Sequence, residues 1–308
     1  MNNPPTKHHY VPEGYLKVFT NFQNSLWQFK KDYRKISLKT PAQVCYEVDA
    51  NRFKDKRNLL NHDNTDDYYV EKESFKYQEI GYGKIIGTII KYQRGAQVID
   101  KHRYRLFLET LATIKRRNPS TREGLIEAFK NGYKSEEGIK RFREYLSEQT
   151  GLKEPVSHLE TKIRTHFANR SRDANYQYDM YLSAFINKGQ FTVIAELTND
   201  FYRLKQYILH PPVGWQFITS DNPGFTIYDG KVVSLGGFEG DYEFHFPISP
   251  EACLYLNSKH VEDNRLIEKT IYHEWIDQSV VHTLNLSTHA ISMKAIFARD
   301  RSILEIYK

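Results

Sequence analysis

One change of period divides this chain. From about Val70 the apolar residues recur at helical spacing: Ile85, Ile86, Ile89 and Ile90, then Leu106, Leu108, Leu111, Ala112 and Ile114. After Asp200 that pattern gives way to short apolar runs broken by turn residues. Asp229-Gly230, between 225–228 and 231–234, is the strongest hairpin signal in the chain. Helices grouped in one stretch, with strands before and after them, point to an α+β fold. Its sheet is mostly antiparallel and built from N- and C-terminal strands, with a central helical region.

The finer reading keeps residues 1–308 as a single domain: N-terminal strands and a loop over 1–67, a helical region over 68–200, and a strand-rich region over 201–308. The segment 25–29 (SLWQF) reads as a strand, with Leu26 and Gln28 on one face and Trp27 and Phe29 on the other. The Asn- and Asp-rich stretch 49–67 reads as a loop. Asn118-Pro119-Ser120 ends one helix and Ser120-Thr121 caps the next, with Glu123 in its first turn. Helices are expected near 121–131, 135–149 and 155–187, with Gly132 and Gly151 as stops. Further on, 203–210 (RLKQYILH) and 215–219 (WQFIT) flank a hairpin-like connection at 211–214. Strands at 243–246 and 252–256 are separated by Pro247 and Pro250; one or two helices span 262–290, and strands at 293–298 and 302–307 follow. No internal repeat and no long Pro/Gly linker interrupts the 308 residues.

Composition excludes several classes. With 40% hydrophobic residues, 22 Tyr and 18 Phe, the chain is too apolar and aromatic to stay disordered. No apolar run approaches the roughly 20 residues of a membrane helix. The start, Met1-Asn2-Asn3-Pro4-Pro5, lacks the cationic-then-apolar pattern of a secretory signal, so the cytoplasm is the expected compartment. Cys45 and Cys253 are the two cysteines, too few for a disulfide scaffold or a Cys-rich zinc site. Charge is lopsided. Residues 1–150 hold 28 Lys and Arg against 19 Asp and Glu, whereas 151–308 hold 16 against 19. Arg94, Lys101, Arg103, Arg105, Lys115, Arg116, Arg117 and Arg122 crowd one stretch, a concentration that would neutralise the phosphates of a polyanion. Solvated helix faces, interleaved with Glu109 and Glu123, are the plainer reading of the same residues.

Two clusters carry candidate chemistry. Lys7-His8-His9-Tyr10-Val11-Pro12 brings two imidazoles, able to ligate a metal or act as a base near neutral pH. On a strand, successive side chains point to opposite faces, so His9 or His8 serves a given site, not both. Tyr10 could hydrogen-bond an anionic group and Lys7 could hold a phosphate. Thr219-Ser220-Asp221-Asn222-Pro223 ends an expected strand. Asp and Asn before Pro are ordinary turn formers. Alternatively, Asp221 supplies a carboxylate that ligates a divalent metal or orients a histidine. Tyr68, Tyr69, Tyr77 and Tyr82, near Lys72, Lys76 and Lys84, could stack bases or pack in the core. His273-Glu274 and His282, on an expected helix, lack the HExxH spacing, and no phosphate loop or G-x-S-x-G occurs.

In this order the clusters resemble a bacterial family, number 4238 of the domains of unknown function. Its members open on an HHYVP-type motif, here Lys7-His8-His9-Tyr10-Val11-Pro12, and continue as in Tyr15-Leu16 and Phe19 and the strand Ser25-Leu26-Trp27-Gln28-Phe29. Arg117-Asn118-Pro119 with Arg122 resembles the middle of the family. Phe217-Ile218-Thr219-Ser220-Asp221-Asn222-Pro223, Phe246-Pro247-Ile248-Ser249-Pro250 and Asn285 resemble its second half. The chain departs from the pattern at Glu13-Gly14, where members commonly carry an Arg and an aromatic. The resemblance covers roughly 5–300 and groups His8, His9, Tyr10, Arg117, Asp221, Asn222 and Asn285. It implies a polar pocket, since buried polar groups are costly unless paired.

The first functional expectation is therefore a nuclease or related phosphoester-cleaving enzyme, with nucleic acid as partner and RNA favoured over DNA. His9, or His8, is the base or a metal ligand, and Asp221 orients the histidine or holds the metal. Lys7 and Arg117 bind phosphate, and Tyr10, Arg122, Asn222 and Asn285 complete the substrate side. Without metal a His base removes the 2′-hydroxyl proton; with metal, Mg²⁺ or Mn²⁺ is shared with the substrate phosphate. The alternative is a non-catalytic module binding nucleic acid or a protein partner. A nucleotide hydrolase or transferase is a third reading.

Overall fold

The computed structural model describes residues 7–55, 70, 81–134, 136, 140, 165, 172–183, 185, 193–234, 240–262 and 268–308. Along the chain these form β1 (Lys7–His9), α1 (Glu13–Lys17), β2 (Leu26–Lys30), β3 (Lys35–Lys39), a 3-10 turn (Pro41–Gln43) and β4 (Tyr46–Val48). The middle holds α2 (Tyr82–Ile89), β5 (Gly95–Asp100), α3 (Lys101–Arg117), α4 (Pro119–Lys134), α5 (Ala174–Ser183) and α6 (Val193–Tyr202). Then follow β6 (Leu204–His210), β7 (Thr219–Ser220), β8 (Phe225–Tyr228), β9 (Lys231–Val233), β10 (Tyr242–Ser249), β11 (Ala252–Val261) and β12 (Glu268–Trp275). α7 (Gln278–Ile291), β13 (Ala295–Ala298) and α8 (Arg301–Glu305) close the chain. The class is α+β.

The strands form a seven-stranded sheet in the order β5-β12-β6-β11-β10-β8-β9, a four-stranded sheet β3-β2-β13-β7, and the pair β1-β4. Pairing is antiparallel except between β12 and β6. N- and C-terminal strands meet where β2 pairs with β13, in the smaller sheet. The larger sheet draws on the second half plus β5, a strand inside the stretch expected to be helical. Leu26 faces the main core while Phe29, with Trp27 packed beside it, joins Ile218, Ile296, Ile303 and Leu304 behind the four-stranded sheet. That division is the alternation expected of 25–29.

The main core packs α1, α2, α3 and α6 against the inner face of the larger sheet, through residues such as Tyr104, Phe107, Phe244 and Leu254. Asp100 caps α3 by accepting the Arg103 N–H at 3.0 Å. Pro119 ends it: Asn118 is extended (φ −64°, ψ 138°), as the residue before proline prefers. Asn118 then caps α4, its Oδ1 accepting the Ser120 N–H at 3.2 Å with Pro119 at the first helical position. Asp229 and Gly230 both have positive φ, 49° and 66°, as a two-residue hairpin turn between β8 and β9 requires.

Four expectations are corrected. The segment 268–275 is a strand, not helix, because it lies between β5 and β6 and finds backbone partners on both sides. The stretch 203–219 is no hairpin: β6 enters the larger sheet, while Thr219–Ser220 pairs with β13 in the smaller one. The last segment is the helix α8, because Ile303, Leu304 and Tyr307 recur at helical spacing and pack on Phe29 and Ile296. Pro247 does not end β10, because β10 there has passed the end of β8 and no partner needs the missing N–H. Most of 135–187 lies outside the described residues, as do Tyr68, Tyr69, Tyr77, Lys72 and Lys76. Tyr82 is a core residue whose hydroxyl donates to the Ile248 carbonyl at 3.4 Å. No helix of the described residues is long and apolar enough to cross a membrane.

Candidate functional site

Three of the sequence motifs converge where α3 ends. The last turn of α3 carries Lys115 and Arg117, both buried although cations usually end a helix in solvent. Lys115 Nζ donates to Asn222 Oδ1 at 3.1 Å and to the Gly224 carbonyl at 2.7 Å. Arg117 Nε donates to the Tyr10 carbonyl at 3.2 Å, and Asn118 Nδ2 to the Asp221 carbonyl at 2.7 Å. Asn222 completes its own set by donating Nδ2 to Ser234 Oγ and the Ile291 carbonyl. Gly224 must be glycine: its φ is +74°, and a Cβ would lie 2.4 Å from Phe246 Cδ2.

Asp221 is buried, and its carboxylate accepts three backbone N–H groups, those of Met293 (2.9 Å), Lys294 (2.7 Å) and Ala295 (3.1 Å). These donors hold the entry to β13, so the carboxylate faces main chain rather than an imidazole. Burial pushes the Asp221 carboxyl above its usual range, against the opposing pull of those three donors and of Lys31. Asn285 has the same character. It accepts the Ile218 N–H at 3.0 Å and donates to the Gln216 carbonyl at 2.9 Å, pinning the segment that leads into β7.

The two histidines of β1 separate as alternation requires. His8 is buried, and its Nδ1 accepts the Asn51 N–H at 2.7 Å, which makes it the neutral ring protonated on Nε2. His9 lies on the other side, 13% exposed, with Nε2 3.7 Å from Glu13 Oε1. Lys7, on the same face of the strand as His9, is exposed and places Nζ 4.6 Å from the centre of the Tyr46 ring. The His9 ring lies 5.7 Å from Tyr46. Lys7, His9, Glu13 and Tyr46 thus form a half-open ledge on the β1–β4 pair.

Between ledge and helix end, polar side chains pair with one another. Arg122 binds Glu47 through both carboxylate oxygens, at 2.7 and 3.2 Å, and stacks on Tyr178, whose hydroxyl donates to the Ala50 carbonyl. Burial draws the Arg122 pKa down, but the hydrogen bond to Glu47 more than restores it. Tyr10 joins the two regions. Its N–H donates to the Cys45 carbonyl at 2.9 Å. Burial first, then Cys45, Asp221 and Glu47, hold its phenol far above the usual range. The Cys45 thiol is raised by burial and by Asp221.

The eight cations that crowd 94–122 in sequence do not share a surface. Lys115 and Arg117 are interior, Arg122 is paired with Glu47, and Arg105 reaches Asn199 and Glu109. Arg94 and Arg103 remain exposed. Among the described residues no group of three or more His, Cys, Asp or Glu is placed to hold a metal ion. Lys115 is the residue that sequence reasoning missed. With Tyr104, Phe107, Leu108 and Leu111 it completes one apolar helix face, so its helical spacing already marked it as interior. Burial without a carboxylate lowers its pKa to about 7.

Comparison with known proteins adds one relationship. Neither the curated proteins nor the solved structures yielded a match to this chain. A model of the family described as "Protein of unknown function (DUF4238)" matches residues 7–302, a span holding the HHYVP, RNP, TSDNP and FPISP segments that knit the site, and the chain belongs to that family.

Proposed function

We propose that the protein cleaves phosphoesters in nucleic acid, RNA before DNA, with His9 as the general base. The carrying observation is that His9 keeps 13% of its side chain exposed, against none for His8, and lies 3.7 Å from Glu13. A carboxylate beside an imidazole orients it, as a general base requires. Lys7 and Tyr46 complete the ledge with a cation for a phosphate and an aromatic ring for a base. On this reading His9 takes the proton of a ribose 2′-hydroxyl, whose oxygen attacks the adjacent phosphorus. The bond to the 5′-oxygen breaks and that oxygen takes a proton from water, giving a 2′,3′-cyclic phosphate and a 5′-hydroxyl. Glu13 takes the orienting role first expected of Asp221, because the Asp221 oxygens already serve three backbone N–H groups.

Labelled RNA, the same strand with 2′-deoxy sugars, and single- and double-stranded DNA test this, with EDTA and with Mg²⁺ or Mn²⁺. The expected result is cleavage of RNA alone, surviving EDTA, and reduced about 100-fold or more in His9→Ala. RNA left intact under every condition, or cut equally by His9→Ala, overturns it. Activity restored by Mg²⁺ or Mn²⁺ after EDTA supports the metal route at the same ledge. A second reading, a binding module without catalysis, rests on the cations that stay exposed, among them Lys7, Arg94 and Arg103. It predicts RNA bound but uncut, with affinity falling steeply as salt rises.

A further inference from the structure

Two histidines that the cleavage proposal does not use touch inside the seven-stranded sheet. His210 ends β6 and His273 lies near the end of β12, the parallel pair of that sheet. His210 Nε2 is 2.9 Å from His273 Nδ1, and the rings stack with centres 5.2 Å apart. Both outer nitrogens face carbonyl oxygens. His273 Nε2 is 3.0 Å from Gln97 Oε1, and His210 Nδ1 is 3.1 Å from the Glu251 backbone oxygen. The Gln97 amide is held in that orientation because its Nε2 donates to the Thr88 carbonyl at 3.1 Å.

The protons along this chain can be counted. A carbonyl oxygen only accepts, so each outer nitrogen must carry a hydrogen, and the contact between the rings needs one more. That makes three protons on two imidazoles, whereas two neutral rings hold two. A neutral pair sets a nitrogen lone pair against a carbonyl oxygen. A doubly protonated pair sets two N–H groups against each other. Only the singly charged pair satisfies all three contacts.

We propose that His210 and His273 form a buried site that binds one proton and no more, and that this proton fixes the orientation of Gln97 in the wall of the neighbouring cavity. Burial lowers the affinity of both rings for protons. The charge on His210 lowers that of His273 further, to about 4, while the Glu251 carbonyl supports the charge on His210. The pair therefore titrates as a unit with two well-separated steps. Among the described residues, the titratable groups set against it are Tyr92, whose ring lies 6.1 Å from His273, and Glu251, whose carboxylate is paired with Arg299.

Gln97 lines a cavity of about 410 Å³ between α2, β5 and α3, with Tyr82, Ile85 and Phe107 among its walls. His210 lines a second, of about 310 Å³, with Trp215 and Trp275. The histidine pair is thus a hydrogen-bonded bridge between two cavities. When its extra proton leaves, Gln97 is released to turn its amide over, donate Nε2 to the His273 lone pair and abandon the Thr88 carbonyl. Rising pH then changes the polar face that the larger cavity offers a ligand.

Long-range ¹H–¹⁵N correlation of the ¹⁵N-labelled full chain, from about pH 5 to about pH 9, reads the protons directly. The expected result is three protonated ring nitrogens of four at the acid end. One is lost in a step shared by both rings, and the Gln97 amide protons shift at the same midpoint. Gln97→Glu, which ends the chain on a carboxylate, raises that midpoint by about one unit or more, and Gln97→Leu lowers it. Two protons on the pair throughout, or two independent steps untouched by Gln97→Glu, overturn the proposal. The wild-type proton count decides even if a Gln97 variant fails to fold, and none of these readouts depends on cleavage of RNA.

Discussion

The two polar regions of this protein use the same residue types to opposite ends. Around the end of α3, Lys115, Asn118, Asp221 and Asn222 are interior and largely face main-chain atoms. On the β1–β4 ledge, Lys7, His9, Glu13 and Tyr46 meet one another through side chains at the edge of solvent. A buried carboxylate that satisfies three backbone donors is part of the fold, and removing it leaves those donors unpaired. His9 instead faces a side-chain carboxylate, with 13% of its own side chain exposed. Polarity alone does not mark a working residue; the kind of partner does.

The comparison breaks first at Asp221. Asp221→Ala leaves three N–H groups at the start of β13 without an acceptor and should cost on the order of 4 kcal/mol by denaturant unfolding. A variant as stable as wild type would make Asp221 a site residue after all. Gly224→Ala should lose about 2–3 kcal/mol, from its positive φ and the collision with Phe246.

Lys115 sharpens the contrast through pH. Its folded pKa of about 7 lies below the ordinary lysine value of 10.5, so above pH 7 the unfolded chain holds a proton that the native one lacks. The burial penalty is fully present below pH 7 and relieved as pH rises, so stability should climb by about 1.4 kcal/mol per unit. The clean window is about pH 7 to 8.5, before the raised thiols of Cys45 and Cys253 pull the other way. Melts of Lys115→Met across that window should lack the slope; an equal slope in both proteins would assign it elsewhere. Arg122→Gln should cost about 1 kcal/mol, since the pair it breaks with Glu47 is partly exposed, and added salt should shrink the difference. His9→Ala should cost about 1 kcal/mol, well below Asp221→Ala, while removing RNA cleavage. A large loss of stability would place His9 with Asp221 instead.

The resemblance grouped His8, His9, Tyr10, Arg117, Asp221, Asn222 and Asn285; of these Tyr10, Arg117, Asp221 and Asn222 lie around the end of α3 with Lys115 and Asn118, while His8 and His9 stay on β1 and Asn285 holds the segment entering β7. What each does there was not legible. Asp-Asn-Pro reads equally as a turn and as a metal ligand until the donors at 293–295 are seen. The apolar face of α3 marked Lys115 as interior, but its charge drew it into a basic stretch that the fold divides. Glu13 stood out only as a departure from the family pattern and Tyr46 carried no motif signal, because their partnership with His9 and Lys7 depends on the turn into α1 and on the pairing of β1 with β4.

By itself the sequence determined the class, the hairpin at Asp229-Gly230, the end of α3 at Asn118-Pro119 and the alternation of 25–29, whereas the cap it placed at Ser120-Thr121 falls on Asn118. Each of these is local, set by a dihedral preference or by the spacing of apolar side chains along one element. The tertiary structure alone decided that 268–275 is a strand, that the smaller sheet joins the two ends of the chain, and that His273 meets His210. Those outcomes depend on backbone hydrogen bonds and burial supplied by segments far away in sequence. No window of neighbouring residues contains that information.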